Sequence, residues 1–366
     1  MKTISASVLI LLFSSLAMAD VHADYHKIIN GELPISTQQV DEIYSKFIQH
    51  YKSENSGFNP VEHYITKGID RKATFANKLQ QIIKHNSDGT NTYKKGLNAF
   101  SDMTDEEFFD YYNIKAEQNC SATNRKSFGN SNANIPTEWD WRTFGVVSPV
   151  KNQGKCGSCW TFSTVGCVES HYLLKYGAFR NLSEQQLVDC AGDYDNHGCS
   201  GGLPSHAFEY IKDNGGLALE TTYPYKAANG QCSIQKGQQS VGIRGGAVNI
   251  SLNEDDLKQA IYLHGPVSVA FRVIDGFRDY KSGVYAVEGC ANGPNDVNHA
   301  VLAVGFGTDE NKVDYWIIKN SWGAAWGDQG FFKMKRGVNM CGIQNCNSYP
   351  QDVFDAQQAA SFLKLQ

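Results

Sequence analysis

Gln153-Gly154-Lys155-Cys156-Gly157-Ser158-Cys159-Trp160 is the stretch on which the reading of this chain turns. Its glycines and serine make a loop, and the texture changes directly after it. Trp160, Phe162, Val165, Val168, Tyr172, Leu173 and Tyr176 follow as a helical apolar set, with Gly177 placed as a C-cap. Cys159 therefore falls in the first turn of a helix. There, unpaired N–H groups and the positive end of the macrodipole favour thiolate over thiol. A nucleophilic cysteine also needs a base and a group that orients the base. Candidates lie far downstream, in Asn298-His299-Ala300 and Lys319-Asn320-Ser321-Trp322-Gly323, each beside a run of strand-forming residues (300–306 and 315–319). Similar runs at 267–273 and 330–334 predict a body that starts helical and ends in strands. Cys156 and Cys159 also make a CxxC, the pattern of a redox pair or half a zinc site. The first wants a βαβ setting and the second another ligand pair at comparable spacing, and neither is visible, so no metal is expected.

Composition bounds the rest. The chain has 366 residues, ten of them cysteine, with 33 Lys+Arg against 38 Asp+Glu and a formal charge of −5. Hydrophobic residues at 41% and charged residues at 19% exclude wholesale disorder, and the length suggests two or three units. Mild acidity without a basic block argues against nucleic acid as a partner. Lys2, an apolar run over 8–16 and Ala17-Met18-Ala19 read as a secretory signal peptide, 1–19. The alternative, a membrane anchor, needs to cross about 30 Å of hydrocarbon, and this run is too short. Sequons at Asn119, Asn181 and Asn249 fit the secretory route, so most cysteines are expected to be paired. Residues 20–115 hold no cysteine and read as helical, with Ile43, Phe47 and Tyr51, then Phe75, Leu79, Ile82 and Ile83, at helical spacing. Residues 124–134 have the composition of a linker.

With Gln153, Cys156 to Trp160, Gly198-Cys199-Ser200-Gly201-Gly202, Asn298 to Ala300 and Asn320 to Gly323 standing in order, the body resembles the papain-like cysteine peptidases from Pro136 to Pro350. The resemblance implies an α+β, two-domain papain-like fold over 135–350. Its helical left domain and β-barrel-like right domain would enclose an active-site cleft. Cys159 would attack a peptide carbonyl as a thiolate paired with protonated His299, and His299 would protonate the leaving amine. Asn320 would orient the imidazole and Trp322 shield it, while the Gln153 amide and the Cys159 N–H would hold the oxyanion. The backbone at Gly201 and Gly202 would bind substrate. The leader resembles the family's helical inhibitory propeptide, with Gly96, Asn98, Phe100 and Asp102 matching one motif and Arg71, Phe75, Ile82 and Asn86 the other. Lys67 and Lys78 depart from that second pattern, which puts salt bridging between the propeptide helices in question. Acid protonating propeptide carboxylates such as Asp102 would loosen inhibition.

Glu117 to Thr123 resembles the mini-chain of cathepsin H, a propeptide remnant (116–123) kept by a disulfide. By this resemblance the pairs are Cys156–Cys199, Cys190–Cys232, Cys290–Cys341 and Cys120–Cys346, leaving Cys167 as a small buried residue. The Thr123 carboxylate would meet a substrate's free amino group, making the enzyme mainly an aminopeptidase with limited endopeptidase action. The alternatives are a cathepsin L-like endopeptidase that discards 116–123 and a catalytically dead binding protein. The expected setting is a lysosome or acidic vacuole, or secretion. The expected partners are peptide and protein substrates, the chain's own propeptide and cystatin-like inhibitors, with a monomeric enzyme, no cofactor and no stable membrane anchor. The tail 351–366 is expected to fray or be trimmed, unless Phe354, Phe362, Leu363 and Leu365 form a partner-binding helix.

Overall fold

The computed structural model describes residues 27–32, 34–52, 68–114, 125–129 and 134–358. The chain divides into two compact units, the first ending at Thr104 and the second beginning at Asp105. The expected signal peptide, the mini-chain and the last residues of the tail lie outside the described residues.

In the first unit, α1 (Thr37–Tyr51) starts at a capping box, with Ser36 and Gln39 satisfying each other's backbone N–H groups. Helix α2 (Arg71–Ser87) is capped by Asp70. Phe47, Phe75, Leu79 and Ile82 form the apolar core, with the Phe47 and Phe75 rings 4.9 Å apart. The two propeptide motifs supply polar ties in this core. The buried Asn86 amide donates to Ile29 O and Lys95 O, and its oxygen accepts from Lys95 N–H. That fastens α2 to β1 (Tyr93–Lys95). Asp102 takes a 2.9 Å ion pair from Lys52, and its carbonyl accepts from Arg71. Asp102 is thus an internal brace of this unit. A bridge between the helices exists through Lys72 and Asp41 at 2.6 Å, although both are half exposed and such a pair contributes little. Lys78 is buried, and Lys67 lies outside the described residues.

The second unit opens with α3 (Asp105–Tyr112) and a two-residue strand β2 (Trp139–Asp140). Its central helix α4 (Cys159–Tyr176) is buried on all sides from Trp160 to Tyr172 and ends at Gly177, whose φ of 67° suits glycine. A helix this enclosed can hold polar residues only if each is bonded. Thr164 and Ser170 donate back to Trp160 O and Gly166 O, and Ser163 Oγ donates to Val301 O at 2.6 Å. Helices α5 (Glu184–Cys190) and α6 (Pro204–Asp213) join α4, followed by strands β3 (Leu217–Ala218), β4 (Gln239–Ile243) and β5 (Ala247–Asn249) and helix α7 (Glu254–His264).

The strands β6 (Val267–Phe271), β7 (Tyr280–Tyr285), β8 (His299–Thr308), β9 (Asp314–Lys319), β10 (Phe331–Lys335) and β11 (Ser348–Pro350) form one sheet. Its order is β7-β10-β9-β8-β6-β11-β5, with β2 also on β8. The path does not return on itself, so the right half is an open sheet and the barrel-like expectation goes too far. The fold class otherwise stands: helices and sheets in a papain-like body preceded by a helical propeptide. All residues of β8 but the last are buried, which explains its unbroken apolar sequence. Disulfides Cys156–Cys199, Cys190–Cys232 and Cys290–Cys341 staple the loops, and Cys346 is disulfide-bonded as well. Cys167 is fully buried, with its thiol donating to Pro266 O. Among the described residues no helix is long and apolar enough to cross a membrane.

Two expectations change. Part of the linker is docked on the body, with Lys126 N–H donating to Asn249 O and Lys126 O accepting from Ser251 N–H. The tail does not fray at 351. Strand β12 (Val353–Asp355) pairs with β4, Val353 is buried, and Asp355 accepts from the buried Tyr172 hydroxyl at 2.7 Å. These contacts contribute about 2–3 kcal/mol. Deleting residues 353–366 should therefore lower Tm by roughly 5–10 °C in calorimetry. An unchanged Tm would show the strand to be dispensable.

Candidate active site

The strand pairing places the candidate residues. His299 begins β8, Asn320 follows β9 directly, and the β8–β9 register aligns Leu302 with Lys319. His299 Nε2 and Asn320 Oδ1 are 2.8 Å apart. The backbone N–H of Ser321 also donates to Asn320 Oδ1 at 2.8 Å, which fixes the amide's orientation. An oxygen facing Nε2 can only accept, so Nε2 carries the proton and Nδ1 holds the lone pair in the neutral ring. Nδ1 is buried and has no hydrogen-bond partner. The Trp322 indole stacks on the imidazole with centroids 4.9 Å apart. Cys159 reaches this strand from the first residue of α4, its sulfur accepting from Ala300 N–H at 3.5 Å.

Gln153 is fully buried. Its Oε1 accepts from Ser321 Oγ at 2.6 Å, and one amide N–H goes to Cys156 O. Tyr225 holds the same loop, donating to Gln153 O and meeting Ser158 Oγ. Ser321 thus orients both Gln153 and Asn320, and neither it nor Tyr225 stood out in the sequence. Ser321 lay unmarked inside a quoted motif, and Tyr225 carried no signal. Gly201 has a φ of 110°, which favours glycine. A side chain at Gly202 would strike Asn196 and, at 2.7 Å, Trp160. Asn181 is exposed, whereas Asn249 is half-buried in β5. Thr123, Asn119 and Cys120 lie outside the described residues.

Segment 105–114 covers this centre. Phe108 packs edge-on against Trp322 at 5.1 Å, Tyr112 stacks on it at 5.2 Å, and Asn113 donates to Cys199 O. The aromatic run Phe108 to Tyr112 was visible in the sequence, but nothing there showed which face it would cover. Enclosure has an electrostatic consequence. Cys159 keeps part of its surface, yet the protein around its sulfur pushes the thiol up to about 11, against three backbone N–H groups that favour the thiolate. Burial likewise pushes His299 down to about 4, against its bond to Asn320. Burial thus opposes the thiolate–imidazolium pair expected from the sequence, and favours a neutral thiol beside a neutral ring while the cleft is covered. Among the described residues no cluster of His, Cys, Asp and Glu is arranged to hold a metal.

A thiol at a helix start, an imidazole with its lone pair turned away from the orienting amide, and a covering segment define a cysteine peptidase kept as a zymogen. Residues 135–351 match the papain family cysteine proteases, and residues 67–108 match the cathepsin propeptide inhibitor domain. The chain belongs to the papain family of cysteine proteases. It is 46% identical to a thiol protease aleurain-like protein of Arabidopsis thaliana over 95% of this chain and 98% of the relative. It is 44% identical to a pro-cathepsin H of Bos taurus over 87% and 92%. A solved digestive procathepsin L2 proteinase of Tenebrio molitor larval midgut superposes with a TM-score of 0.76 at 38% identity, covering 86% of this chain and all of that one.

The covered thiol predicts slow alkylation. Between pH 5 and 8 iodoacetamide should label Cys159 in the zymogen at least about 100-fold more slowly than in the matured protein. Mass spectrometry of the Cys159 peptide reads this, and equal rates would refute a neutralised thiol.

Proposed function

We propose that the chain is a zymogen of an aminopeptidase with limited endopeptidase activity, working through Cys159, His299 and Asn320. On uncovering, the Cys159 proton passes to His299 Nδ1 and the thiolate attacks the peptide carbonyl. The tetrahedral oxyanion lies toward the Cys159 N–H and the remaining N–H of the Gln153 amide. Collapse expels the amine, which takes the proton from Nδ1, and water then releases the acyl group. Replacing Gln153 with Ala should lower kcat by about 10²–10³-fold with KM little changed. A kcat within twofold of wild type would remove Gln153 from the oxyanion site.

The observation that carries the amino-terminal preference is the bonded state of Cys346. Six of the ten cysteines pair with one another, and Cys159 and Cys167 are free. Cys346 is disulfide-bonded, and Cys120 is the one cysteine still unassigned. That assignment would keep residues 116–123 attached after processing and bring the Thr123 carboxylate to the non-primed end of the cleft, opposite an incoming α-amino group. The aleurain and cathepsin H names among the relatives favour the same reading. Removal of 1–19, 20–115 and the rest of 124–134 would complete maturation in a lysosome or vacuole, giving a monomer open to cystatin-like inhibitors.

The test compares one peptide with a free and with an acylated amino terminus. The mature enzyme should cleave the free form at least about tenfold faster, and deleting residues 116–123 should abolish the difference. Equal rates, or no effect of the deletion, would favour the cathepsin L-like endopeptidase. No turnover with Cys159 intact would favour a binding protein.

A further inference from the structure

Arg278 is a cation that the reaction does not use. It lies in a 3₁₀ turn, Phe277–Asp279, with 2% of its surface exposed. Its Nη2 holds Asp105 Oδ1 of α3 at 3.0 Å, and its guanidinium lies 5.6 Å from the centre of the Phe108 ring. Among the described residues Asp279 is a second carboxylate beside it, at 3.7 Å from Nε, beyond hydrogen-bond reach. Nη2 of the guanidinium is thus engaged by a carboxylate of the covering helix.

The turn belongs to the wall around Trp322. Phe277 packs on Trp322 and Trp326, with centroids 5.7 and 5.4 Å apart, and Trp326 Nε1 donates to Arg278 O. Trp322 in turn stacks on His299. Since His299 protonates the departing amine, the leaving group lies on this flank of Cys159. The opposite flank, at Gly201 and Gly202, receives the residues before the cut.

We propose that in the mature enzyme Arg278 selects substrates with a carboxylate side chain just beyond the scissile bond. The inference rests on the reading of Cys159 and His299 above and on removal of α3 during maturation. Asp105 then occupies, in the zymogen, the place that a substrate Asp or Glu takes later. The site is built rather than incidental, because the turn that carries the guanidinium is held at its backbone by Trp326 and packed through Phe277, and the group that leaves is an anion. A guanidinium fixed in this way discriminates an acid from its amide by about tenfold.

The experiment uses the matured full enzyme and C-terminally amidated peptides that share every residue up to the cut. The residue after it is Asp, Asn, Glu or Gln, and an arylamide with the same acyl part carries no residue there. At low ionic strength kcat/KM should be about tenfold higher for Asp than Asn, or for Glu than Gln, and the ratio should approach one in about 1 M salt. Arg278→Gln should erase the ratio while leaving arylamide turnover within about twofold, and Arg278→Lys should keep part of it. A wild-type ratio near one, a ratio unaffected by salt, or an Arg278→Gln enzyme that retains the preference would overturn the proposal. If Arg278→Gln does not fold, the wild-type ratio and its salt dependence decide alone. Absence of arylamide turnover in the wild type would instead undo the peptidase mechanism itself.

Discussion

The hydrogen bond between His299 Nε2 and Asn320 Oδ1 is the constraint on which the site depends. It commits one nitrogen of the imidazole to donation and frees the other as a base. Its geometry comes from the sheet, because His299 opens β8 and Asn320 directly follows β9, so the pairing of these strands brings the two together. The Ser321 N–H then locks the amide that would otherwise be free to flip. Ser321 Oγ carries the same order onward to Gln153. A short chain of neutral hydrogen bonds therefore joins His299 to Gln153.

Electrostatics and enclosure act in opposite directions on the nucleophile. The helix start and three N–H groups favour a thiolate, and surrounding protein favours a thiol. In the folded chain burial prevails for both Cys159 and His299. Segment 105–114 packs on Trp322 beside His299 and so adds to the protein that surrounds this pair. Asp102 has a different part, bracing the inhibitor unit from within through Lys52 and Arg71.

Much of this was legible because it is local or because the motif is dense. The helix after Ser158, its Gly177 cap and the apolar runs of β6, β8 and β9 follow from periodicity and from burial on both faces. Cys159, His299, Asn320 and Gln153 were found through the order of motifs. What periodicity could not give is long-range complementarity. The tail was expected to fray or be trimmed, yet Val353 and Asp355 are buried, since β4 offers an edge and Tyr172 a hydroxyl. The open sheet order has no signature in any one strand. Arg278 was invisible for the same reason: its partner Asp105 lies far away in the sequence.

The distribution of the site along the chain also bears on how the protein is made. Cys159 stands near the middle, while His299 opens β8 and Asn320 follows β9 near the end. A ribosome delivers the inhibitor domain, residues 67–108, long before those strands emerge. During synthesis there is consequently no interval in which a complete Cys-His-Asn arrangement exists and its inhibitor does not. Vectorial synthesis thus places the inhibitor's sequence ahead of the strands that complete the site.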